Sequence, residues 1–225
     1  MRAQPIAEGG ARGAALIGSR NIQPIVEGHG EVEAAPVLLR RLLTEAAEYE
    51  VGVSRPIRRK RSELIQQSTL SVSIRLAMMQ PNCGAILVLL DSDDDCPRDL
   101  APRLQGLAAN AAGNVPCQVV LAHREYEAWF LAAIESLRGA RGIRDDAVSH
   151  PRPESPRDAK GWIQQCMRGN RGYMETSDQA PLSDRFDLAA AHRNCRSFRK
   201  LVKALGELLT SMGRAPSSWP PASWT

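Results

Sequence analysis

Residues 85–90, with the sequence AILVLL, form an uninterrupted run of six apolar residues. A short run that contains no polar residue is typical of a strand buried on both faces, in the middle of a parallel sheet. Parallel neighbours in a sheet need long crossover connections, which are usually helices. The run therefore predicts an α/β protein whose sheet has helices on both faces.

The segments on either side of this run agree with that prediction. Strands are predicted at 22–26, 51–57 and 117–122, and helices at 34–46, 62–80, 97–112 and 126–137. Pro56 confines the second of these strands to an edge or an end, because proline cannot donate a hydrogen bond to a neighbouring strand. The alternation predicts a Rossmann-like parallel sheet of about four strands flanked by helices.

Composition along the chain predicts four regions. We expect a flexible N-terminal tail at 1–20, the α/β core at 21–138, a helical extension packed on the core at 139–213 and a loose C-terminal tail at 214–225. The first region is rich in Gly, Ala and Arg without apolar periodicity, and the last is rich in Pro and Ser. Such segments bury too little apolar surface to offset the entropy lost on ordering.

The composition also excludes several classes of protein. Hydrophobic residues make up 43% and charged residues 24%, so the chain is not disordered throughout. Aromatic residues are only 4%, which argues against a platform of stacked bases such as that of an RNA-recognition motif. No segment approaches the roughly 18 consecutive apolar residues of a membrane helix. No secretory signal is present either, so we expect a cytoplasmic protein that does not enter a membrane.

Carboxylates stand where three of the predicted strands end. Glu27 follows the first strand, Asp91 ends the apolar run, and Glu125 comes shortly after the last strand. Because the carboxyl ends of parallel strands meet at one edge of a sheet, we expect these side chains to lie together. Mg²⁺ or Mn²⁺ prefers oxygen ligands and needs only a few carboxylates, so a metal site is predicted here. A second metal would need more ligands, and the nearby acids are Glu31, Asp93, Asp95 and Glu127.

Each acidic segment also has a simpler interpretation, and these alternatives stay open. The segment 91–95 can be a solvated acidic loop, and 27–31 can be a turn between a strand and a helix. The acids at 125 and 127 can simply begin a helix, because negative charge is favoured there.

A run of positive charge supports a nucleic-acid substrate, although the formal net charge of +4 alone does not. Five cations fall within seven residues, namely Arg55, Arg58, Arg59, Lys60 and Arg61. Such a run neutralises phosphates and positions a polynucleotide without reading its sequence, whereas the alternative is a solvated basic turn. An acidic centre with a basic flank is what metal-assisted phosphodiester chemistry requires.

Two of these motifs resemble the Toprim domain. One strand ends in Glu-Gly-x-x-Glu, formed by Glu27, Gly28 and Glu31, and a later hydrophobic strand ends in Asp-x-Asp, formed by Asp91 and Asp93. The Toprim domain occurs in topoisomerases, in primases and in the nuclease half of overcoming-lysogenisation-defect proteins.

A third segment extends the resemblance over most of the chain. Residues 124–129, with the sequence REYEAW, are similar to the third acidic motif of the overcoming-lysogenisation-defect group. The arrangement over 22–209 resembles the domain-of-unknown-function 4276 family of small standalone Toprim-like bacterial proteins. Some of these are encoded beside ABC-type or AAA-type ATPases in phage-defence loci.

The resemblance implies roles for individual residues. Glu27 would be a metal ligand and a general base or acid, and Asp91 and Asp93 would hold the first Mg²⁺. Glu31, Glu125 and Glu127 would serve a second metal ion. The extra acids Asp94 and Asp95 leave the choice of ligands open. Lys60 and Lys160 are both candidates for a catalytic lysine, and we also count both among the cations that contact nucleic acid.

The leading hypothesis is therefore a Mg²⁺-dependent Toprim-type nuclease that acts with an ABC-type or AAA-type ATPase in a bacterial anti-phage defence system. The chain has no Gly-x-x-x-x-Gly-Lys-Ser/Thr motif, so a partner would supply any ATP hydrolysis. A homo-oligomer is compatible with this hypothesis.

An alternative is a non-catalytic Toprim-like partner or sensor subunit of an ATPase complex. A third is a phosphatase of the haloacid-dehalogenase type with Asp91 as nucleophile, which Asp94 and Asp95 disfavour because that family has Thr or Val soon after its Asp-x-Asp.

Overall fold

The sheet of the protein is entirely parallel. The computed structural model describes residues 20–169 and 171–224, and the predicted N-terminal tail lies outside these residues apart from its last position. The strands are β1 (Asn21–Val26), β2 (Gly52–Val53), β3 (Ile57–Arg58), β4 (Cys83–Asp91) and β5 (Cys117–Ala122). Their order is β2-β1-β4-β5. β3 pairs with the same edge of β1 as β2 does, but nearer the carboxyl end of β1.

Helices connect these strands and also follow β5 in the described part of the chain. They are α1 (Glu31–Glu45), α2 (Arg61–Leu64), α3 (Gln67–Met78), α4 (Pro97–Ala112), α5 (Ala128–Leu131), α6 (Ala159–Gln165), α7 (Glu175–Ser183), α8 (Leu188–Asn194) and α9 (Arg196–Ser211). Two short 3-10 helices span Ile134–Leu137 and Ala222–Trp224. Among the described residues, no helix is both long enough and apolar enough to cross a membrane.

Strand β4 is buried on both faces, as its apolar run predicts. Ile86, Val88 and Leu90 belong to one hydrophobic cluster, which also contains the apolar side chains of α3 and α4. Leu87 and Leu89 belong to a second cluster, which contains those of α1, α5 and α9. Because alternate residues of a strand point to opposite faces, one six-residue run serves both cores. The predicted fold class is confirmed: the protein is α/β, with a Rossmann-like parallel sheet flanked by helices.

The sheet has five strands rather than about four because the predicted strand at 51–57 is two short strands. β2 and β3 are separated by residues 54–56, and each pairs with β1. Pro56 lies in the gap, where a missing amide hydrogen costs no ladder bond. The predicted helix at 62–80 is likewise two helices, α2 and α3, because Gln66 has an extended backbone with φ −94° and ψ 131°.

Candidate active site

Glu27 and Asp91 lie together where β1 and β4 end, as predicted. The backbone N–H of Asp91 donates to Glu27 Oε2 at 3.2 Å. The carboxylate of Asp91 in turn accepts a hydrogen bond from the backbone N–H of Tyr126, through Oδ1 at 2.9 Å. Two hydrogen bonds therefore connect the chain segments that follow the three strands.

Glu31 is the first residue of α1 and closes the turn after β1. Its Oε2 accepts hydrogen bonds from the backbone N–H groups of Glu27, at 3.0 Å, and Gly28, at 2.9 Å. Burial of the side chain raises the pKa of Glu31 to about 7, and the neighbouring carboxylates of Glu27 and Glu127 add to the increase, although the two hydrogen bonds oppose it. Glu31 thus shapes the turn and also places a buried carboxyl group beside Glu27.

Glu127 lies just before α5 and is completely buried. Its Oε1 accepts hydrogen bonds from the hydroxyl of Tyr173, at 2.7 Å, and from Nε2 of Gln179, at 3.3 Å. Its Oε2 is buried and has no hydrogen-bond partner among the described residues. Burial raises the pKa of Glu127 to about 7, even though Lys160 and Tyr173 favour the charged form.

These acids form one electrostatic unit, which we call the carboxylate cluster: Glu27, Glu31, Asp91 and Glu127. Burial raises the pKa of Asp91 well above its ordinary value, and repulsion from the other three members adds to that increase. Burial also raises the pKa of Glu27. Carboxyl groups that are buried side by side resist ionisation unless a cation lies between them. The cluster therefore has the electrostatic character of a cation site.

Lys160, in α6, is the side chain that offsets part of this negative charge. Its Nζ lies 2.6 Å from Glu175 Oε1. Burial alone would lower the pKa of Lys160, but Glu127 and Glu175 raise it above its ordinary value, so the amine stays charged. Lys160 also favours the charged forms of Glu27, Asp91 and Glu127. Arg61 also favours the charged form of Glu27, so two cations, Lys160 and Arg61, act on the four acids of the cluster among the described residues.

The other predicted metal ligands have partners outside the carboxylate cluster. Arg61 Nε lies 3.2 Å from Asp93 Oδ2, and Arg61 Nη2 contacts Asp95. The same guanidinium donates to the backbone carbonyls of Asp91 and Ser92, both at 3.0 Å, so it fastens the loop after β4. Glu125 Oε2 accepts a hydrogen bond of 3.0 Å from the backbone N–H of Lys160, at the start of α6.

The later part of the basic run, residues 58–61, lies at the same sheet edge as the carboxylate cluster. β3 runs parallel to β1, with Arg58 opposite Val26, so residues 58–61 leave the sheet where Glu27 does. Arg58 Nη2 lies 2.7 Å from His29 Nε2. Arg55 and Lys60 are exposed, and Arg59 is half-buried. Of the five cations in the basic run, Arg61 therefore has the most hydrogen-bond and ion-pair partners within the described part of the protein.

Sequence patterns do not identify the residues on and near α7 that complete the site. Tyr173 and Gln179 bind Glu127, and Glu175 pairs with Lys160. α7 also approaches the turn after β1 so closely that a Cβ atom at Gly30 would lie 2.3 Å from Gln179 Oε1. Gly30 is the signal in the sequence for this contact, because only glycine permits such an approach.

The donor chemistry of the site suits a hard divalent cation, although the ligands are not yet arranged around one. Among residues 20–169 and 171–224, no group of three or more His, Cys, Asp or Glu side chains is positioned to hold a metal ion. Mg²⁺, however, usually keeps several waters and binds proteins through one or two carboxylates. The Oε2 atom of Glu127 is a carboxylate oxygen of the kind that Mg²⁺ binds, and it has no partner among the described residues. A buried charged atom without a partner is costly, so a cation bound there would stabilise it.

Comparison with known proteins places the chain in a family. The model of a family described as Domain of unknown function (DUF4276) matches residues 26–206, a range that includes the whole carboxylate cluster. The comparisons with curated proteins and with solved structures found no match. Because the match covers far more than half of the chain, the protein belongs to the family described as Domain of unknown function (DUF4276).

Proposed function

We propose that this protein is a Mg²⁺- or Mn²⁺-dependent nuclease of the Toprim type, which hydrolyses phosphodiester bonds at the carboxyl edge of its sheet. The observation that carries the proposal is that four carboxylates converge there: the Asp91 N–H donates to Glu27 Oε2, and burial together with the charges of Glu31, Glu127 and Glu27 raises the pKa of Asp91. The basic residues that follow β3 lie at the same edge. Acids to hold a cation and cations to hold phosphates are thus available together.

Glu27, Asp91 and Glu127 would hold the cation, because each is a carboxylate of the cluster and Glu127 Oε2 has no partner among the described residues. When bound, the cation would polarise the scissile phosphate and make a bound water more acidic. Glu27 would accept the proton of the attacking water, because its carboxylate lies at the end of β1 beside Asp91. Arg58 and Arg59 would hold neighbouring phosphates.

The proposal includes a partner. The resemblance of the motifs to Toprim-like proteins encoded beside ATPases supports an ABC-type or AAA-type ATPase as that partner, in the bacterial cytoplasm and in anti-phage defence. The absence of a P-loop motif from the sequence agrees with this division of labour, because ATP hydrolysis would take place on the other chain.

One set of contacts favours the alternative, a non-catalytic subunit of such a complex. Asp93 and Asp95 pair with Arg61, and no metal-binding group is preformed among the described residues. A non-catalytic subunit would have the same fold and the same buried acids but would not assemble the metal ligands.

The proposal is tested by incubating the purified chain, alone and with its neighbouring ATPase, with plasmid DNA and transfer RNA in Mg²⁺ or Mn²⁺. We expect cleavage, and we expect Glu27→Gln and Asp91→Asn each to reduce it about 100-fold or more. Glu207→Gln is the matched control, because Glu207 is an exposed acid that pairs with Lys203 on α9.

Equal cleavage by the parent and by both site variants would overturn the nuclease proposal. Stable co-purification with the ATPase, without cleavage of either substrate in either metal, would establish the non-catalytic alternative instead. Light scattering on the same samples would also show whether the chain forms a homo-oligomer.

A further inference from the structure

A small charged cavity lies beside the carboxylate cluster, between the loop after β4 and the loop after β5. Its volume is about 350 Å³, and its lining consists of Asp93, Asp94, Arg124, Glu125 and Arg157. Two of the lining residues are arginines, and neither belongs to the basic run at 55–61. The cavity is therefore a second place at which the protein can offer positive charge next to the predicted site of cleavage.

Both arginines hold the same carboxylate oxygen. Arg124 Nη1 lies 3.0 Å and Arg157 Nε lies 3.4 Å from Asp94 Oδ1. An oxygen that receives two guanidinium groups has the environment that proteins commonly provide for phosphate. The Asp94 carboxylate thus stands where an oxygen of an anionic ligand would bind.

Arg124 is held in place by its backbone. Its N–H donates to Ser92 Oγ at 2.8 Å, and its carbonyl accepts from the N–H of Asp93 at 3.1 Å. The side chain is only 23% exposed, and its Nε is buried without a hydrogen-bond partner among the described residues. Arg124 therefore has a backbone that two hydrogen bonds fix and a guanidinium nitrogen that Asp94 does not use.

The remaining acids of the cavity already have partners. Asp93 pairs with Arg61, and Glu125 accepts a hydrogen bond from the backbone of Lys160. Asp94 also has partners, the two arginines, but its side chain is more exposed, at 71% against 56% for Asp93. It can therefore turn into water without burying a charge. Exposed ion pairs of this kind contribute little to stability, so a phosphate can displace the carboxylate at low cost.

We propose that Arg124 and Arg157 form a binding subsite for a backbone phosphate of a polynucleotide, and that Asp94 occupies this subsite in the free protein. The proposal rests on the proposed function, because it supplies a phosphate contact that flanks the bond to be cleaved. Asp94 competes with the substrate, so wild-type affinity is lower than the two arginines alone would give. Positive charge at the subsite positions nucleic acid without reading its sequence.

The test measures binding by fluorescence anisotropy, with a labelled duplex DNA of about three helical turns in one arm and a labelled transfer RNA in the other. All proteins are full-length and carry Glu27→Gln, which under the proposed function slows cleavage of the probe in Mg²⁺ about 100-fold or more. We expect Asp94→Asn to bind the substrate polynucleotide about fivefold more tightly, as expected when a competing ion pair worth about 1 kcal/mol is removed.

Arg157→Gln should have the opposite effect. We expect weaker binding and a plot of log K against log salt concentration whose slope is smaller by about one phosphate contact. Arg157 is 76% exposed, so its replacement leaves the core unchanged. Asp145→Asn is the matched control: Asp145 is an exposed aspartate that pairs with Arg168 and does not line the cavity. This control should change affinity less than about twofold.

Two results would overturn the subsite: equal affinities of Asp94→Asn and Asp145→Asn in both arms, or an unchanged salt slope for Arg157→Gln. Either would mean that these residues form only a solvated ion pair. Failure of the proposed function would look different, because the parent chain without Glu27→Gln would then leave the probe uncut in Mg²⁺ or would cut it no faster than the Glu27→Gln background does. The arm in which Asp94→Asn gains affinity identifies the polynucleotide as DNA or RNA.

Discussion

Replacing Glu127 by Gln should stabilise the metal-free protein at alkaline pH, because it removes a charge that is buried without sufficient compensation. Burial raises the pKa of Glu127 from 4.5 to about 7. This difference between the folded and unfolded chains corresponds to about 3 kcal/mol. Gln can keep the oxygen that binds Tyr173, and Oε2, which it replaces by an amide nitrogen, has no partner among the described residues.

The sign follows from where each state loses its proton. The unfolded chain releases the Glu127 proton near pH 4.5 and the folded chain releases it near pH 7, so the wild-type protein loses stability as the pH rises between these values. Gln has no proton to lose. The variant should therefore be more stable than wild type by about 3 kcal/mol above pH 7, and the difference should disappear near pH 4.5.

The measurement is thermal unfolding in EDTA at pH 5 and pH 8. For a chain of this size, a gain of about 3 kcal/mol raises Tm by about 6–12 °C. Glu207→Gln makes the same chemical change at an exposed position of α9 and should change stability by less than about 0.5 kcal/mol. A Glu127→Gln protein with the Tm of wild type at pH 8, or with an equal gain at both pH values, would show that the buried charge of Glu127 does not destabilise the fold.

Two further predictions concern acidic residues that fasten α9 and α7 to neighbouring segments. Burial raises the pKa of Glu154, but hydrogen bonds from Ser197 and its neighbours at the start of α9 lower it more, so the folded pKa lies below its ordinary value. Glu154→Gln should therefore cost about 1 kcal/mol at pH 7, and urea unfolding should show this difference shrinking as the pH falls below about 4.5. Asp178 is buried and pairs with Arg141 and Arg171. Asp178→Ala should cost about 3 kcal/mol in urea unfolding at pH 7, and a loss below about 1 kcal/mol would contradict its role as a buried partner.

The parts of the fold that sequence predicts well are those that apolar residues specify. The run at 85–90 identifies β4, and the predicted bounds of α4 and β5 agree with the structure. The break between α2 and α3 could not be predicted, since neither Gly nor Pro marks it. α7 is missed for a different reason: its buried residues are Asp178, Gln179, Leu182 and Ser183, so its inner face has no apolar periodicity.

The candidate site, like the fold, was predictable from the sequence only in part. The positions of Glu27 and Asp91 follow from parallel strands that end at one edge, and their proximity was predictable for that reason. The partners of Glu127 were not predictable, because Tyr173 and Gln179 reach it through a helix that sequence periodicity does not reveal. Nor does sequence tell Arg61 from its basic neighbours, although in the structure it binds the loop after β4.

Titration with Mn²⁺, followed by electron paramagnetic resonance, shows whether the carboxylate cluster holds a divalent cation. At pH 8 we expect the wild-type chain to bind Mn²⁺ and to lose the signal of the free ion in proportion. Asp91→Asn should weaken this binding about tenfold or more, because it removes one of the central ligands. Glu207→Gln should bind as wild type does. Equal Mn²⁺ binding by wild type and Asp91→Asn, or no binding by the wild-type chain at millimolar Mn²⁺, would show that the carboxylate cluster does not hold the cation.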